Sequence, residues 1–158
     1  MSDQSLVVRA ASPGDRRALV LLVAMLQDHE RSVRPTRRPG ATMADGYVAA
    51  LLERLGRDDG TVIVGAIDGE VVGMAAAFLE CDRLEVEPRE IKIEDLVVAA
   101  AYRRRGVARA LVDAVAAFGR SRGVRRLVVS ALAPNAAARA TYRALGFHDA
   151  LVSFERRS

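Results

Sequence analysis

The apolar positions along this chain change period several times, and each change marks an element. Leu6-Val7-Val8-Arg9 reads as a short first strand. Ser12-Pro13-Gly14-Asp15 then has the form of a helix start, with Ser12 at the N-cap, Pro13 at the first helical position and Asp15 facing back. Leu19, Leu22, Val23 and Leu26 recur at helical spacing and give a first helix that ends near Asp28-His29-Glu30-Arg31. The stretch 32–41 holds Pro35, Pro39, Gly40, Arg34, Arg37 and Arg38, and is expected to be a loop. A second helix is predicted over 43–55, with Tyr47, Val48, Leu51, Leu52 and Leu55 on its apolar face and Gly56 and Gly60 closing it.

Strand-like runs follow. Segments 61–67 and 71–79 flank Asp68-Gly69, a two-residue hairpin signal of type I′. The run 91–98 is apolar except for Lys92 and the carboxylates Glu94 and Asp95 set into it. Helical spacing returns at Val107, Ala110, Leu111, Ala114, Val115 and Phe118, with a break over 119–123. A fifth strand is expected over 126–130, around Leu127-Val128-Val129. Pro134-Asn135 opens a last helix over 136–145, with Asn135 suited to its N-cap, Gly146 to the left-handed residue that ends it, and Phe147 to covering that end. Segment 148–156 reads as a final strand. The order β-α-α-β-β-β-α-β-α-β predicts an α/β fold: one domain over 1–158, with a mixed sheet covered by helices. Strands 91–98 and 126–130, joined through a helix, should run parallel with a right-handed crossover.

The junction at 102–108 carries chemistry. Arg103-Arg104-Arg105-Gly106-Val107-Ala108 leads a strand into a helix. The first N–H groups of a helix lack intrahelical partners, and its dipole places partial positive charge there. Gly106 has no side chain and Ala108 only a methyl, so a bulky anion can approach the backbone, and three arginines add charge. The turn suits a diphosphate. Other phosphate motifs fail: no Gly-x-x-x-x-Gly-Lys-Ser/Thr stretch occurs, and Gly106 has no glycine two residues earlier.

Arg103-x-x-Gly106-x-Ala108, after Leu96-Val97-Val98, resembles the acyl-CoA signature of the GNAT superfamily of N-acetyltransferases. A second match follows: Asn135, then Thr141-Tyr142-Arg143-Ala144-Leu145-Gly146-Phe147, which is similar to the family's later Asn…Tyr-x-x-x-Gly-Phe segment. The resemblance runs from Val7 to Phe154. It implies a central, mostly antiparallel sheet whose strands 91–98 and 126–130 splay apart. A pantetheine arm would lie between them against Leu96, Val97 and Val98, with the diphosphate on Arg103, Arg104, Arg105, Gly106, Val107, Ala108 and Arg109. It implies further that an N–H near Val98 polarises the thioester carbonyl, that Asn135 contacts the pantetheine amides, that Arg139 reaches a phosphate, and that Tyr142 protonates the departing thiolate. A phenol near ~10 and a thiol near ~8.5 make that transfer nearly balanced. The segment between the first two helices would form part of the acceptor wall.

Transfer of an acetyl group from a thioester to an amine needs no metal. It does need a neutral amine, so a nearby carboxylate should remove a proton. Strand alternation puts Lys92, Glu94 and Leu96 on one face and Ile93, Asp95 and Val97 on the other. Glu94 is the candidate base; Asp95 is second, because a bulge would exchange the faces. Over 80–95 there are seven acids against three bases, which in a basic chain points to a small cationic acceptor such as an amino acid, a polyamine or an aminoglycoside. A protein N-terminus, a lysine, an aminoacylated tRNA, or a non-catalytic CoA-binding module stay open.

Composition narrows the partners. Of 24 basic residues Lys92 is the only lysine, leaving 23 arginines, and the net charge is +4. Aromatics are only 4% and the arginines are dispersed, which disfavours nucleic-acid binding. No run approaches the ~20 apolar residues of a membrane span. The N-terminal stretch carries Asp3 where a secretory leader is basic, and Cys81 is the sole cysteine, so a cytoplasmic setting is expected. Cys81 itself reads as a small core or loop residue. Asp28, His29 and Glu30, as sequence neighbours, point in different directions around a helix and make a poor metal set. Family habit implies a homodimer.

Overall fold

The computed structural model describes residues 5–87 and 89–158; Asp3 lies outside them. Strand β1 (Leu6–Ala10) precedes a short 3₁₀ turn (Pro13–Asp15) and helices α1 (Arg16–Val33) and α2 (Gly40–Arg54). Strands β2 (Gly60–Ile67), β3 (Glu70–Cys81) and β4 (Arg89–Val98) follow, then α3 (Val107–Ser121), β5 (Leu127–Val129) and α4 (Ala136–Ala144). The sheet order is β1-β2-β3-β4-β5, antiparallel throughout except for the parallel β4–β5 pair.

Each face of the sheet carries a helical layer. Leu19, Leu22 and Val23 of α1 and Ala44, Val48 and Leu51 of α2 pack on Val62, Val64, Met74, Ala76, Phe78 and Val97. On the opposite face Val107, Leu111, Val112 and Val115 of α3 cover Ile63, Ile67, Val72, Ala75, Ala77, Ile91 and Ile93. The uninterrupted apolar runs of β2 and β3 follow from this double burial, because neither face meets water.

Two boundaries differ from expectation for local reasons. Helix α2 starts at Gly40 rather than Met43, since the carboxylate of Asp28 on α1 accepts the Gly40 N–H at 2.7 Å and so caps α2 from outside. A side chain at position 40 would collide with the Ala24 carbonyl, so glycine permits the close crossing of α1 and α2. Helix α3 runs through Gly119 to Ser121, and the turn falls at Gly123, whose φ is +71°.

Two expectations are corrected. No strand forms over 148–156: the segment pairs with nothing in the sheet, and Leu151, Val152 and Phe154 are exposed. Leu151 and Val152 are adjacent rather than alternating, and the three-residue β5 offers almost no edge to pair with. The simple alternation along β4 is also broken. Ala76 pairs with Asp95 but Ala77 with Ile93, so β4 has one residue more than β3 at this point, which is a β-bulge at Glu94. As a result Ile91 and Ile93 face α3, whereas Asp95 and Val97 face α1 and α2.

The predicted capping device at the start of the helical layer is present, with a cation added. Asp15 Oδ2 accepts the Ser12 N–H at 2.7 Å, and the Asp15 N–H donates to the Ser12 carbonyl at 3.0 Å. Arg9 of β1 donates two hydrogen bonds to the same carboxylate, at 2.7 and 2.9 Å. The Arg9 guanidinium holds the Asp15 carboxyl well below the usual carboxylate range, burial opposes this, and the Ser12 N–H assists. Stability from such a group is present above the unfolded carboxyl value of about 3.9 and is lost as the pH falls below it toward the depressed folded value. Asp15→Asn is therefore expected to lower the melting temperature at pH 7 and to shrink the drop between pH 7 and pH 3, as read by thermal unfolding at both pH values.

Candidate active site

The site lies where β4 and β5 part. Pairing runs Ile91–Leu127, Lys92–Val128, Ile93–Val129, and there it ends, five residues before β4 does. The Ala99 N–H donates to the Val72 carbonyl at 2.8 Å, which sets the phase of the β3–β4 ladder. Alternate residues of an antiparallel pair bond to a given neighbour, so Val97 is turned to β3 while Leu96 and Val98 present backbone groups to the edge that β5 has vacated. An extended amide chain can add to such an edge. Arg103 Nε donates to the Val98 carbonyl at 3.2 Å, fixing the exit of the strand.

The basic turn follows directly. Gly106 is the N-cap of α3 in the left-handed region, with φ +80°, and Arg104 also has a positive φ of 62°. A side chain at Gly106 would meet no atom within 4 Å, so the demand for glycine is conformational and leaves open space over the turn. The first backbone bond of the helix is Ala110 N–H to the Gly106 carbonyl at 3.0 Å, so the N–H groups of Val107, Ala108 and Arg109 precede the helical ladder. Val107's own side chain is buried against the sheet and can offer only its backbone. Arg105 stands over the Tyr102 ring at 5.4 Å, and Arg109 donates to the Ala144 carbonyl at the end of α4 at 2.9 Å.

Helix α4 forms the other wall. Asn135 is buried, and its side-chain carbonyl accepts the Ala138 N–H at 3.1 Å, so this oxygen caps α4. Arg139 donates to the Ala133 carbonyl at 3.3 Å, bracing the preceding loop. Tyr142 packs edge-on against Phe147 with ring centroids 6.0 Å apart. Burial pushes the Tyr142 hydroxyl up to about 12, and the negative charges of Glu30 and then Asp95 add to it. The near balance expected with a thiol does not hold: at about 12 against ~8.5 for a thiol, Tyr142 stays protonated and full transfer runs uphill.

The carboxylates of the bulge diverge. Glu94 lies 3.5 Å from Arg54 of α2, whose guanidinium also approaches Asp59 at 3.6 Å and stacks over the Phe78 ring at 3.5 Å. Asp95 is only 9% exposed and accepts a hydrogen bond from the Tyr47 hydroxyl at 2.7 Å. Burial raises the Asp95 carboxyl to about 6; the Tyr47 hydrogen bond opposes this, and the charges of Glu94 and Glu30 reinforce it. Burial likewise raises the Tyr47 hydroxyl, with Asp95 adding to it.

Sequence reasoning missed Tyr47, Glu30, Arg37 and Arg54. A tyrosine on an otherwise apolar helix face was the one available signal, because a buried hydroxyl needs a partner. Glu30 meets Arg37 of the 34–39 loop at 2.9 Å. Four of the other acids of 80–95 are engaged elsewhere: Glu80 pairs with Lys92, Glu85 and Glu90 with Arg126, and Asp82 accepts the Leu84 N–H. Among the described residues no group of three His, Cys, Asp or Glu side chains could hold a metal ion, and no helix is long and apolar enough to cross a membrane. Replacing Gly106 by alanine is expected to weaken coenzyme A binding by roughly tenfold, with a small change in melting temperature; calorimetric titration checks this.

The model of the acetyltransferase (GNAT) family matches residues 23–147. No curated protein matches the chain. Among solved structures, an aminoglycoside acetyltransferase from an uncultured soil metagenomic sample is 30% identical, with 98% of this chain and 99% of that one covered and a TM-score of 0.67. An aminoglycoside N-acetyltransferase, AAC(6′)-Iy, in complex with CoA is 22% identical, with 98% and 95% covered and a TM-score of 0.76. Glucosamine-6-phosphate N-acetyltransferase from Arabidopsis thaliana is 16% identical, with 98% and 99% covered and a TM-score of 0.72.

Proposed function

The chain belongs to the GNAT family of acetyltransferases, and on that premise we propose that it moves the acetyl group of acetyl-CoA to a primary amine of a small cationic acceptor, by direct attack in a ternary complex. The observation that carries this reading is the early end of the β4–β5 ladder beside the Gly106 turn, with Tyr142 on the facing helix. The vacated edge at Leu96–Val98 takes the pantetheine amides. The N–H groups after Gly106 take the diphosphate, with Arg103 to Arg105 nearby. The Val98 N–H donates to the thioester oxygen as charge builds there, and one such donor in a dry site is worth about 3 kcal/mol of barrier.

A thioester supplies an already activated acyl carbon. The amine loses a proton to a carboxylate of the bulge, Glu94 or Asp95, directly or through one water, and its lone pair then attacks that carbon. The carbon–sulfur bond breaks, and the sulfur leaves facing the Tyr142 hydroxyl. That hydroxyl acts first as a hydrogen-bond donor to the thiolate. Two of the three causes that raise it are the charges of Glu30 and Asp95, and a cationic acceptor screens both, which eases proton transfer while the acceptor is bound. The same two charges, with Glu94, favour a cationic acceptor over an anionic one. The likeness to a solved aminoglycoside acetyltransferase, 30% identical over 98% of the chain, supports the same acceptor class. We propose further that the chain is a single catalytic domain over 1–158 acting in the cytoplasm.

Release of free thiol from acetyl-CoA, measured with a panel of mono- and polyamines, is expected to rise severalfold above background hydrolysis with cationic acceptors. A panel in which no small amine raises it would remove the small-molecule reading. Tyr142→Phe is expected to lower kcat by about 10- to 100-fold while leaving the Kd for acetyl-CoA within about twofold; steady-state kinetics and calorimetry together separate the two effects.

A further inference from the structure

We propose that Tyr47 is a positioning residue that holds Asp95, and not Glu94, as the carboxylate that takes the acceptor's proton. The inference rests on the acetyl-transfer reading and deepens it by choosing between the two acids of the bulge. Because of the extra residue at Glu94, Asp95 points into the layer between the sheet and α2, where the Tyr47 hydroxyl donates to its Oδ2 at 2.7 Å. One oxygen is thereby fixed, and Oδ1 is left as the acceptor for a further proton. Tyr47 is held in place by α2, adjacent to the fully buried Val48 and one turn before the buried Leu51.

Glu94 is committed differently. Its Oε1 faces Arg54, and Arg54 is clamped by Asp59 and by the face of Phe78, a side chain with no exposed surface. Glu94 is exposed, and an acceptor ammonium drawn to its Oε1 competes there with a guanidinium already held in place. Around Asp95 the charged and titratable groups are Tyr47 from α2, Glu94 from its own strand, Glu30 from the end of α1 and Arg37 from the following loop, with Tyr142 of α4 within reach of its field. Burial and the two acids raise the Asp95 carboxyl, and Tyr47 and Arg37 lower it, leaving it at about 6. Such a group is ionised at neutral pH and still basic enough to accept a proton in the transition state.

In the step itself an N–H bond of the acceptor ammonium breaks and an O–H bond forms at Asp95 Oδ1, directly or through one water. The freed lone pair attacks the acyl carbon, the carbon–sulfur bond breaks, the second proton lost by the nitrogen passes by way of the Tyr142 hydroxyl to the leaving sulfur, and the Asp95 proton returns to solvent. The active form of Asp95 is the anion, so kcat/KM should climb as pH rises through about 6. Tyr47 holds that value down, so removing its hydroxyl should move the climb upward.

The test is the pH dependence of kcat/KM for the best amine of the panel, in the wild type, Tyr47→Phe, Asp95→Asn and Glu94→Gln, with CoA affinity measured for each. The expected result is an acid limb near the value above in the wild type, moved up by about 1 pH unit in Tyr47→Phe with CoA affinity kept. Asp95→Asn should remove the limb and lower kcat/KM by about 100-fold or more, and Glu94→Gln should retain the limb. An unmoved limb in a Tyr47→Phe protein that binds CoA normally would overturn the proposal. So would a limb lost with Glu94→Gln and kept in Asp95→Asn, which also decides the matter if Tyr47→Phe fails to fold. Failure of the wild type to acetylate any amine would instead sink the reading beneath, a result distinct from turnover with the wrong pH response.

Discussion

One residue too many in β4 governs this molecule. Glu94 has no counterpart on β3, so the strand kinks between Ile93 and Asp95. Before the kink β4 is an ordinary interior strand, paired on both sides and packed beneath α3. After it the partner β5 is gone, and a carboxylate has been turned toward the helices of the other face. A regular strand would have kept Ile91, Ile93, Asp95 and Val97 on a single side and buried Asp95 against the aliphatic residues of α3, with no hydroxyl to receive it. The bulge therefore turns an acid to the α1–α2 face at the point where the β4–β5 ladder ends.

The surroundings of Asp95 are negative for a reason local to them. Glu30 comes from α1 and Glu94 and Asp95 from β4; the charges of Glu94 and Glu30 act on Asp95, and those of Glu30 and Asp95 act on Tyr142. Two arginines, Arg37 and Arg54, stand against these acids. The cofactor side has the reverse character, with arginines gathered about the N-terminus of α3. In the proposed reading an anionic nucleotide thioester and a cationic acceptor are thus drawn to opposite ends of one gap.

Much of this was legible in the sequence, and the reasons are physical. Helices α1 and α3 carry strong apolar periodicity, Asp68-Gly69 sets a hairpin, and the Ser12–Asp15 cap is a local device written in four consecutive residues. Gly106 could be read as a turn glycine open to an anion because that demand is also local. The bulge could only be named as an alternative, since register depends on the partner strand and not on β4 alone. The start of α2 was misplaced because its cap, Asp28, sits twelve residues away on another helix. The last segment has strand-like composition but finds no edge to join, and composition carries no record of edges. Tyr47 and Glu30 escaped notice for the same reason: each matters only through a side chain brought near by folding.

The connection between α1 and α2 bears on how such a protein changes its diet. Only residues 34–39 lie between the two helices, and they are stitched down: Gln27 to the Arg38 carbonyl at 2.9 Å, Arg31 to the Arg37 carbonyl at 3.2 Å, and Asp28 to Gly40 at 2.7 Å. A wall laced this closely resists lengthening, because an inserted residue would unpick several bonds at once. In the proposed reading, where this segment borders the acceptor, new acceptors are reached most readily by exchanging single groups on it, Arg37 foremost, while the frame behind them stays rigid.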